Sequence, residues 1–451
     1  MVPIIVLSSI FVGTLAMSDG WFREDVTRSY LGASCSLAFD SSGTLHIAYH
    51  AYEDGQLVHA YRSGNSWIEE RVSDAISSYG MMGMSMLFDS QGRIHISGYL
   101  EKGYGEYVRE ILYAVKDNGQ WIVSEFVVDK LGSTCMALDS QGRPHLIFSD
   151  APERYENGGS VFHRDYSVKE LAWTGNEWIN TTILTAPEDK MLIVQCAKTD
   201  SNGDIHVLAT DDANIYNETW YAYESRAELS HFTNSGGTWR YEKVLQSNTQ
   251  LGNGVGGIGG ASLAVDSSNH VHLACCCFED GYYRIKYANN TFGAWVNSSI
   301  RMAGDQWIVP TSIALDEQDH AFISYYEIFG APQFAPSQSV VLAANSDGPW
   351  KFRTIQTKQL ETWFASTSTV VDDDNGLHTT YFVYAKDQGI HLMYATNTAD
   401  SLIITRALTK AAIYAVATEA VVVALFAIAW HYRKVEKSRR EFDEQFKIYD
   451  R

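Results

Sequence analysis

The segment SLAFDSSGTLHIAY (36–49) decides the fold of this chain. Apolar and polar residues alternate on both sides of the turn sequence DSSG, which predicts two antiparallel strands joined by a tight hairpin. Six further copies of this pattern follow along the chain: SMLFDSQGRIHISGY (85–99), CMALDSQGRPHLIF (135–148), CAKTDSNGDIHVLA (196–209), SLAVDSSNHVHLAC (262–275), SIALDEQDHAFISY (312–325) and STVVDDDNGLHTTY (368–381).

The repeated aspartates set the period of the structure. They are Asp40, Asp89, Asp139, Asp200, Asp266, Asp316 and Asp372, with separations of 49, 50, 61, 66, 50 and 56 residues. A period of about 50 residues has room for four short strands and is typical of a propeller blade.

Each copy continues with a third strand, a turn and a Trp that opens a fourth strand. These tryptophans are Trp67, Trp121, Trp178, Trp239, Trp295 and Trp350. The seventh copy, IHLMYATNTADSL (390–402), has none, whereas GWFREDV (20–26) resembles SWIEERV (66–72). We therefore predict an all-β, seven-bladed β-propeller in which the N-terminal strand completes the last blade by pairing with residues 389–396.

The turn before the Trp carries a family resemblance. Asn345-Ser-Asp347-Gly348-Pro-Trp350 and Lys116-Asp117-Asn-Gly119-Gln-Trp121 resemble the Asp-box, or BNR, repeat of sialidase-like propellers, in a degenerate form. The resemblance covers roughly residues 20–400 and implies the propeller architecture. In that superfamily the Asp-box turns are structural, and its members include glycosidases, polysaccharide lyases and lectins, so fold alone does not choose an activity.

Both ends of the chain predict a membrane protein. Residues 1–18 have the apolar core of a signal peptide, with an uncleaved anchor as the alternative, and residues 19–396 form the predicted ectodomain. A linker (397–410) leads to an apolar segment, 411–430, which is long enough to span a bilayer. The tail, 431–451, has seven Lys/Arg against five Asp/Glu, which predicts a cytoplasmic C-terminus and a propeller outside the cell.

Charge and cysteine usage limit the partners. The net charge is −20, which excludes a nucleic-acid-binding surface and leaves glycans, surface proteins and the membrane as partners. The six cysteines, Cys35, Cys135, Cys196 and the run 275–277, have no metal-ligand spacing, so neither a metal nor a cofactor is expected. They are interpreted as buried small residues, with one disulfide as the alternative.

The histidine that recurs six residues after each repeated aspartate is not interpreted as a metal ligand. His46, His95, His145, His206, His272 and His378 are spread around a ring and cannot converge on one ion. An Asp–His hydrogen bond within each blade is the predicted role.

Functional residues are expected where the blades differ, in the loops between the second and third strands. The candidate ligand-binding residues there are Tyr52, Glu53, Glu101, Tyr104, Glu106, Arg109, Asp150, Glu153, Arg154, Asp211, Asp212, Glu279, Asp280, Arg284, Tyr326 and Glu327. Carboxylates and Tyr rings suit sugar recognition, and an Arg cluster would suit an anionic sugar. The glycine-rich link 251–260 joins the same face.

Two functions are compatible with these residues. The favoured interpretation is a membrane-anchored, extracellular β-propeller that binds a glycan or a protein at the cell surface. The alternative is a membrane-tethered glycoside hydrolase or polysaccharide lyase of the sialidase-like propeller class, which would use two of the loop carboxylates; no catalytic residue is assigned.

Overall fold

The structure is a computed structural model of the 451-residue chain. It describes residues 20–29, 34–51, 56–64, 66–73, 81–102, 108–128, 131–150, 153–157, 160–164, 166–186, 191–217, 222–250, 258–279, 282–304, 311–329, 337–346, 348–359, 366–385, 389–398 and 433–435. The chain divides into two compact units, Met1–Asn397 and Thr398–Arg451. The first unit contains all of the strands given below.

The first half of the first unit contains three blades, each with four antiparallel strands. After β1 (Phe22–Ser29) come β2 (Cys35–Phe39), β3 (Leu45–Ala51), β4 (Gln56–Ser63) and β5 (Ser66–Ser73) in blade 1, and β6 (Met81–Phe88), β7 (Ile94–Lys102), β8 (Val108–Asp117) and β9 (Gln120–Val128) in blade 2. Blade 3 has β10 (Leu131–Leu138), β11 (Pro144–Asp150), the hairpin β12 (Glu153–Asn157) and β13 (Ser160–Arg164), β14 (Ser167–Trp173) and β15 (Trp178–Thr185).

Four more blades complete the ring. Blade 4 has β16 (Met191–Thr199), β17 (Ile205–Asn217), β18 (Ala222–Thr233), the 3₁₀ turn Ser235–Gly237 and β19 (Arg240–Gln250); blade 5 has β20 (Ile258–Val265), β21 (Val271–Glu279), β22 (Tyr282–Asn289) and β23 (Val296–Gly304). Blade 6 has β24 (Thr311–Leu315), β25 (Ala321–Phe329), β26 (Ser337–Ala344) and β27 (Lys351–Gln359); blade 7 has β28 (Ser368–Val371), β29 (Leu377–Ala385), β30 (Gly389–Thr396) and β1. The predicted seven-bladed propeller of four-stranded blades is confirmed.

The N-terminal strand closes the ring as predicted. β1 pairs antiparallel with β30, from Phe22 opposite Thr396 to Ser29 opposite Ile390. Its neighbours on both sides hold it, because the Arg23 Nε donates to the Ile355 carbonyl of blade 6 at 2.6 Å and the Trp67 Nε1 of blade 1 donates to Glu24 at 2.9 Å. Arg62 of blade 1 forms an ion pair with the same Glu24. Thus β1 joins three blades.

The core lies between neighbouring blades, so the second strand of a blade is buried on both faces. In β3, for example, every residue from Leu45 to His50 is buried. The repeated tryptophans pack in the interface with the preceding blade. The ring of Trp178 packs edge-on against Tyr113, with the ring centroids 5.2 Å apart, and the ring of Trp295 packs edge-on against His231, with the centroids 5.4 Å apart. Aromatic rings at these places add contact area and edge-to-face attraction.

Serine side chains link the innermost strands around the axis. The Oγ atoms of Ser36 and Ser85 accept the backbone N–H groups of Met86 and Met136 in the next blade, at 3.0 and 3.3 Å. Ser368 does the same for Leu37 across the closure, at 3.0 Å. The innermost strand has an open edge, and these hydroxyls supply the acceptors that a neighbouring strand would otherwise provide.

All six cysteines are described and are free thiols, so the disulfide that the sequence left open is not formed; five of them are buried and Cys196 is half-buried. Burial raises the pKa of the Cys35 thiol to about 11. The predicted signal peptide (1–18), the spanning segment 411–430, and most of the linker and tail lie outside the described residues. No helix within the described ranges is long and apolar enough to cross a membrane.

Candidate functional site

Strand direction gives the propeller two different ends. The first-to-second turns of all seven blades and the third-to-fourth turns of blades 1 to 6 lie at one end, here called the turn end. The second-to-third connections and the links between blades lie at the other end, here called the loop end. Blade 3 alone among the described connections carries an added hairpin there, β12–β13, which the sequence had left as a loop.

The sequence assigned all sixteen candidate residues to the loop end, and the structure describes eleven of them. Tyr52, Glu53, Tyr104, Glu106 and Asp280 lie outside the described residues. Four others have described backbones alone: Glu101 is the second-to-last residue of β7, opposite Arg109, Glu153 and Arg154 open the β12 hairpin, and Asp212 lies on β17. The side chains of the remaining seven are described.

In blade 3, Asp150 forms an ion pair with Lys169. Asp150 ends β11, is 5% exposed, and its Oδ2 atom contacts the Lys169 Nζ of the adjoining strand β14. Its second oxygen, Oδ1, has no hydrogen-bond partner and is buried. Arg109 of blade 2 lies near the same place, since its charge opposes the rise that burial causes in the pKa of Tyr166.

In blade 5, the Glu279 carboxylate lies within 4.0 Å of two cationic side chains and accepts a hydrogen bond from a hydroxyl. The Lys286 Nζ lies 2.6 Å from its Oε1, and the Arg284 Nε lies 4.0 Å from its Oε2. Ser299 Oγ donates to Oε2 at 3.3 Å. Glu279 and Arg284, which the sequence selected separately, are therefore partners of one another.

A third pair spans blades 5 and 6. Glu327 is 7% exposed and forms an ion pair with Arg301 of β23, while the Tyr325 hydroxyl donates to its Oε1 at 3.1 Å. Arg301 also covers the ring of Phe352, with Cζ 4.6 Å from the centroid. The Glu327 carboxylate is thus engaged on both sides.

Two candidates differ from these pairs. Tyr326 is 2% exposed and packs between blades 6 and 7, where its hydroxyl donates to the Phe382 carbonyl at 3.2 Å and accepts the Phe382 N–H at 2.9 Å. A side chain in this position is core and does not face the solvent. Asp211 is half-buried on β17, opposite Leu192 and Glu228.

The cations Lys169, Lys286 and Arg301 were missed by the sequence reasoning. Each lies on a strand and forms an ion pair with a candidate carboxylate. Lys169 stands two residues along β14 from Ser167, which pairs directly with Asp150. Opposite charges at diagonal cross-strand positions are the signal that would have identified this pair.

The predicted hydrogen bond between the repeated histidine and the repeated aspartate is present in blades 1, 2, 5 and 7. In blades 3 and 4 it is absent, because the Nε2 atoms of His145 and His206 lie 3.6 and 3.5 Å from the aspartate and have no hydrogen-bond partner in the described part of the chain.

The His95 Nε2 lies 3.3 Å from Asp89 Oδ2, and its Nδ1 lies 2.8 Å from the Tyr113 hydroxyl. The same arrangement holds in blade 5 with Tyr287 and in blade 7 with Tyr394. In the described residues no group of three or more His, Cys, Asp or Glu side chains is arranged to hold a metal ion.

Comparison with solved structures supports the fold. An ulvan lyase of polysaccharide lyase family PL25, solved bound to -[GlcA(1-4)Rha3S]-, matches with a TM-score of 0.57 at 12% identity, over 82% of this chain and 94% of that chain. The intramolecular trans-sialidase from Ruminococcus gnavus matches with a TM-score of 0.43 at 12% identity, over 84% of this chain and 96% of that chain. No family model and no curated protein matches the sequence.

The likeness to the ulvan lyase agrees with the propeller fold that this chain's own strands define. At 12% identity the likeness to the ulvan lyase shows the fold alone. A shared fold does not fix the chemistry of the site, which depends on this chain's own residues.

Proposed function

We propose that this protein is a membrane-anchored, extracellular binding module whose loop end engages a neutral glycan or a basic protein surface. The observation that carries the proposal is the pairing of cations at that end. Lys169, Lys286 and Arg301 are each neutralised by a carboxylate of the chain. An anionic sugar would have to displace these carboxylates before it could bind the cations.

The charge of the whole protein also favours a neutral or basic ligand over an anionic one. With a net charge of −20, the surface repels polyanions over roughly a Debye length of 8–10 Å at physiological salt. A sialidase-like or lyase activity on acidic sugars needs cations free to hold the substrate carboxylate. Carboxylates next to partly exposed cations instead offer hydrogen-bond acceptors to sugar hydroxyls or to Lys and Arg of a partner.

The test is a glycan and peptide array probed with the full-length protein and two matched variants. Glu279→Gln removes a carboxylate at the loop end, and Glu317→Gln removes an exposed one at the turn end. We expect the first to weaken binding of the best neutral or basic ligand about tenfold, the low end for a charge-assisted hydrogen bond, and the second to leave it unchanged.

Two outcomes would contradict the proposal. If the strongest ligand is a polyanion, or if Glu317→Gln weakens binding as much as Glu279→Gln, the loop end is not the predicted surface. The enzyme alternative is checked on the same array. Release of new reducing or unsaturated sugar ends by the wild-type protein would identify a glycoside hydrolase or a polysaccharide lyase.

A further inference from the structure

Blade 6 lacks the polar residues that the other six blades have on their second and third strands. On its second strand, Phe322 stands where the others have the repeated histidine, six residues after Asp316. The third-strand residue diagonal to this position is Leu342, two residues before Ala344, which pairs with Phe322. In the other blades the diagonal residue is polar: His59, Tyr113, Glu170, His231, Tyr287 and Tyr394.

The fourth strand of blade 6 has a cation where the other blades have none. Arg353 of β27 pairs directly with Leu342 of β26. Directly paired residues point to the same face of a sheet, so Arg353 shares a face with the apolar pair of Leu342 and Phe322. At the same register the other blades have acidic or hydroxyl-bearing residues: Glu70, Ser124, Thr181, Glu242, Ser298 and Glu24.

A cavity of about 320 Å³ lies at this place, at the turn end between blades 6 and 7. Phe322 and Leu342 line it and are 6% and 2% exposed, and Leu377 of blade 7 adds a further apolar side chain. Leu342 has no polar atom to reach Asp316, as Tyr113 reaches the histidine in blade 2. The cavity therefore has an apolar wall where the other blades have a hydrogen-bonded network.

The charged groups that line the cavity are mostly cationic or basic. The acid among them, Asp316, is engaged: its Oδ1 accepts the backbone N–H groups of Gln318 and His320 at 3.0 and 2.8 Å, and its Oδ2 lies 2.9 Å from the His320 Nδ1. Lys351 lines the cavity two residues before Arg353 on β27. Within the described part of the chain the Arg353 guanidinium forms no ion pair or hydrogen bond.

We propose that this cavity binds a small organic acid, with its carboxylate on Arg353 and its apolar body against Phe322 and Leu342. A guanidinium holds a carboxylate through two parallel N–H donors, which makes a stronger contact than a neutral hydrogen bond. A volume of about 320 Å³ is near the lower end of the range for ligand pockets and suits a body of one or two rings.

The apolar body is a necessary part of this ligand. The net charge of −20 acts against any anion that approaches the protein, so one contact with Arg353 is not enough for tight binding. Burial of an apolar body against the cavity wall supplies the remaining affinity. The site lies at the turn end and uses none of the loop-end residues, so it does not rest on the proposed function.

The experiment is calorimetric titration of the full-length protein with 1-naphthoate, which has two rings and one carboxylate. Acetate has the charge without the body, and 1-naphthalenemethanol has the body without the charge. We expect naphthoate to bind at least about tenfold more tightly than either of them, the low end for a charge-assisted contact.

Arg353→Ser is the matched variant, because blades 2 and 5 have Ser124 and Ser298 at this register. We expect it to weaken naphthoate binding about tenfold and to leave binding of the neutral alcohol unchanged. Arg240→Ser, at an exposed arginine that opens β19 of blade 4, is the control and should change neither.

A second variant tests the cavity itself. Phe322→His with Leu342→Tyr copies the His95 and Tyr113 pair of blade 2, and we expect it to fill the cavity and abolish binding of naphthoate and of the neutral alcohol. If this variant does not fold, the Arg353→Ser variant still decides. The proposal is overturned if the wild type does not bind naphthoate at millimolar concentration, if the alcohol binds as tightly as naphthoate, or if Arg353→Ser leaves the naphthoate affinity unchanged.

Discussion

At the scale of single residues, the repeated aspartate organises the turn that begins each hairpin. In blade 2, Asp89 Oδ1 accepts the backbone N–H groups of Gln91 and Arg93, both at 2.9 Å, while its Oδ2 contacts Arg93 and His95. Burial acts to raise the pKa of Asp89, but the hydrogen bonds from Arg93, His95 and Gln91 outweigh it and keep that pKa low. The fourth turn residue, Gly92, has φ of 75°, which glycine adopts without strain.

The turn carboxylate has a measurable contribution to stability. Asp89→Ala removes the acceptor of two backbone N–H groups and leaves the Nε2 atom of His95 without its partner, so we expect a loss of about 2 kcal/mol in the free energy of unfolding. Denaturant unfolding followed by tryptophan fluorescence measures this loss. Ser90→Ala, at the exposed next position, is the control, and an equal effect of both changes would contradict the assigned role.

At the scale of strands, β1 was predictable because it looks like the outer strand of another blade. Trp21 stands before β1 as Trp67 stands at the beginning of β5, and the register places Glu24 opposite Tyr394 of β30. The pattern of Trp, charge and terminal Val is local and can be read along the chain. The β12–β13 hairpin lies outside the repeat pattern, so it was not predicted, although Asn157-Gly158-Gly159 is a hairpin turn signal in the sequence.

Trp21 tests the closing strand without removing it. Its side chain is 2% exposed and belongs to the largest core cluster, so Trp21→Ala should cost about 3–5 kcal/mol of unfolding free energy. Phe292→Ala, at an 87% exposed ring in a turn of blade 5, should change stability by less than about 0.5 kcal/mol. Thermal unfolding of both variants measures these changes. If Trp21→Ala and Phe292→Ala change stability by similar amounts, ring closure through β1 is not what stabilises the fold.

At the scale of the whole molecule, a net charge of −20 opposes the compact ring. Many of the ion pairs are partly buried and change little with salt, whereas the long-range repulsion among exposed carboxylates is screened. The Debye length falls from about 30 Å at 0.01 M to about 8 Å at 0.15 M ionic strength. We therefore expect the melting temperature to rise across this range.

The salt response is checked by thermal unfolding in NaCl, with a sodium sulfate series to identify ion-specific effects. The charge argument requires the two salts to act alike at equal, low ionic strength. A melting temperature that falls with NaCl would mean that ion pairs such as Lys243 with Glu228, and not the repulsion, dominate the electrostatics of the fold.

The blade count, the closing strand and, in four blades, the hydrogen bond between the repeated histidine and aspartate were determined by the sequence alone. These features rest on alternation, turn chemistry and hydrogen bonds between residues a few positions apart. Only the tertiary structure decided which cations pair with Asp150, Glu279 and Glu327. It also decided that Tyr326 is buried. They depend on which strands and blades meet side by side, and the same holds for the two histidines that face one another in blade 1.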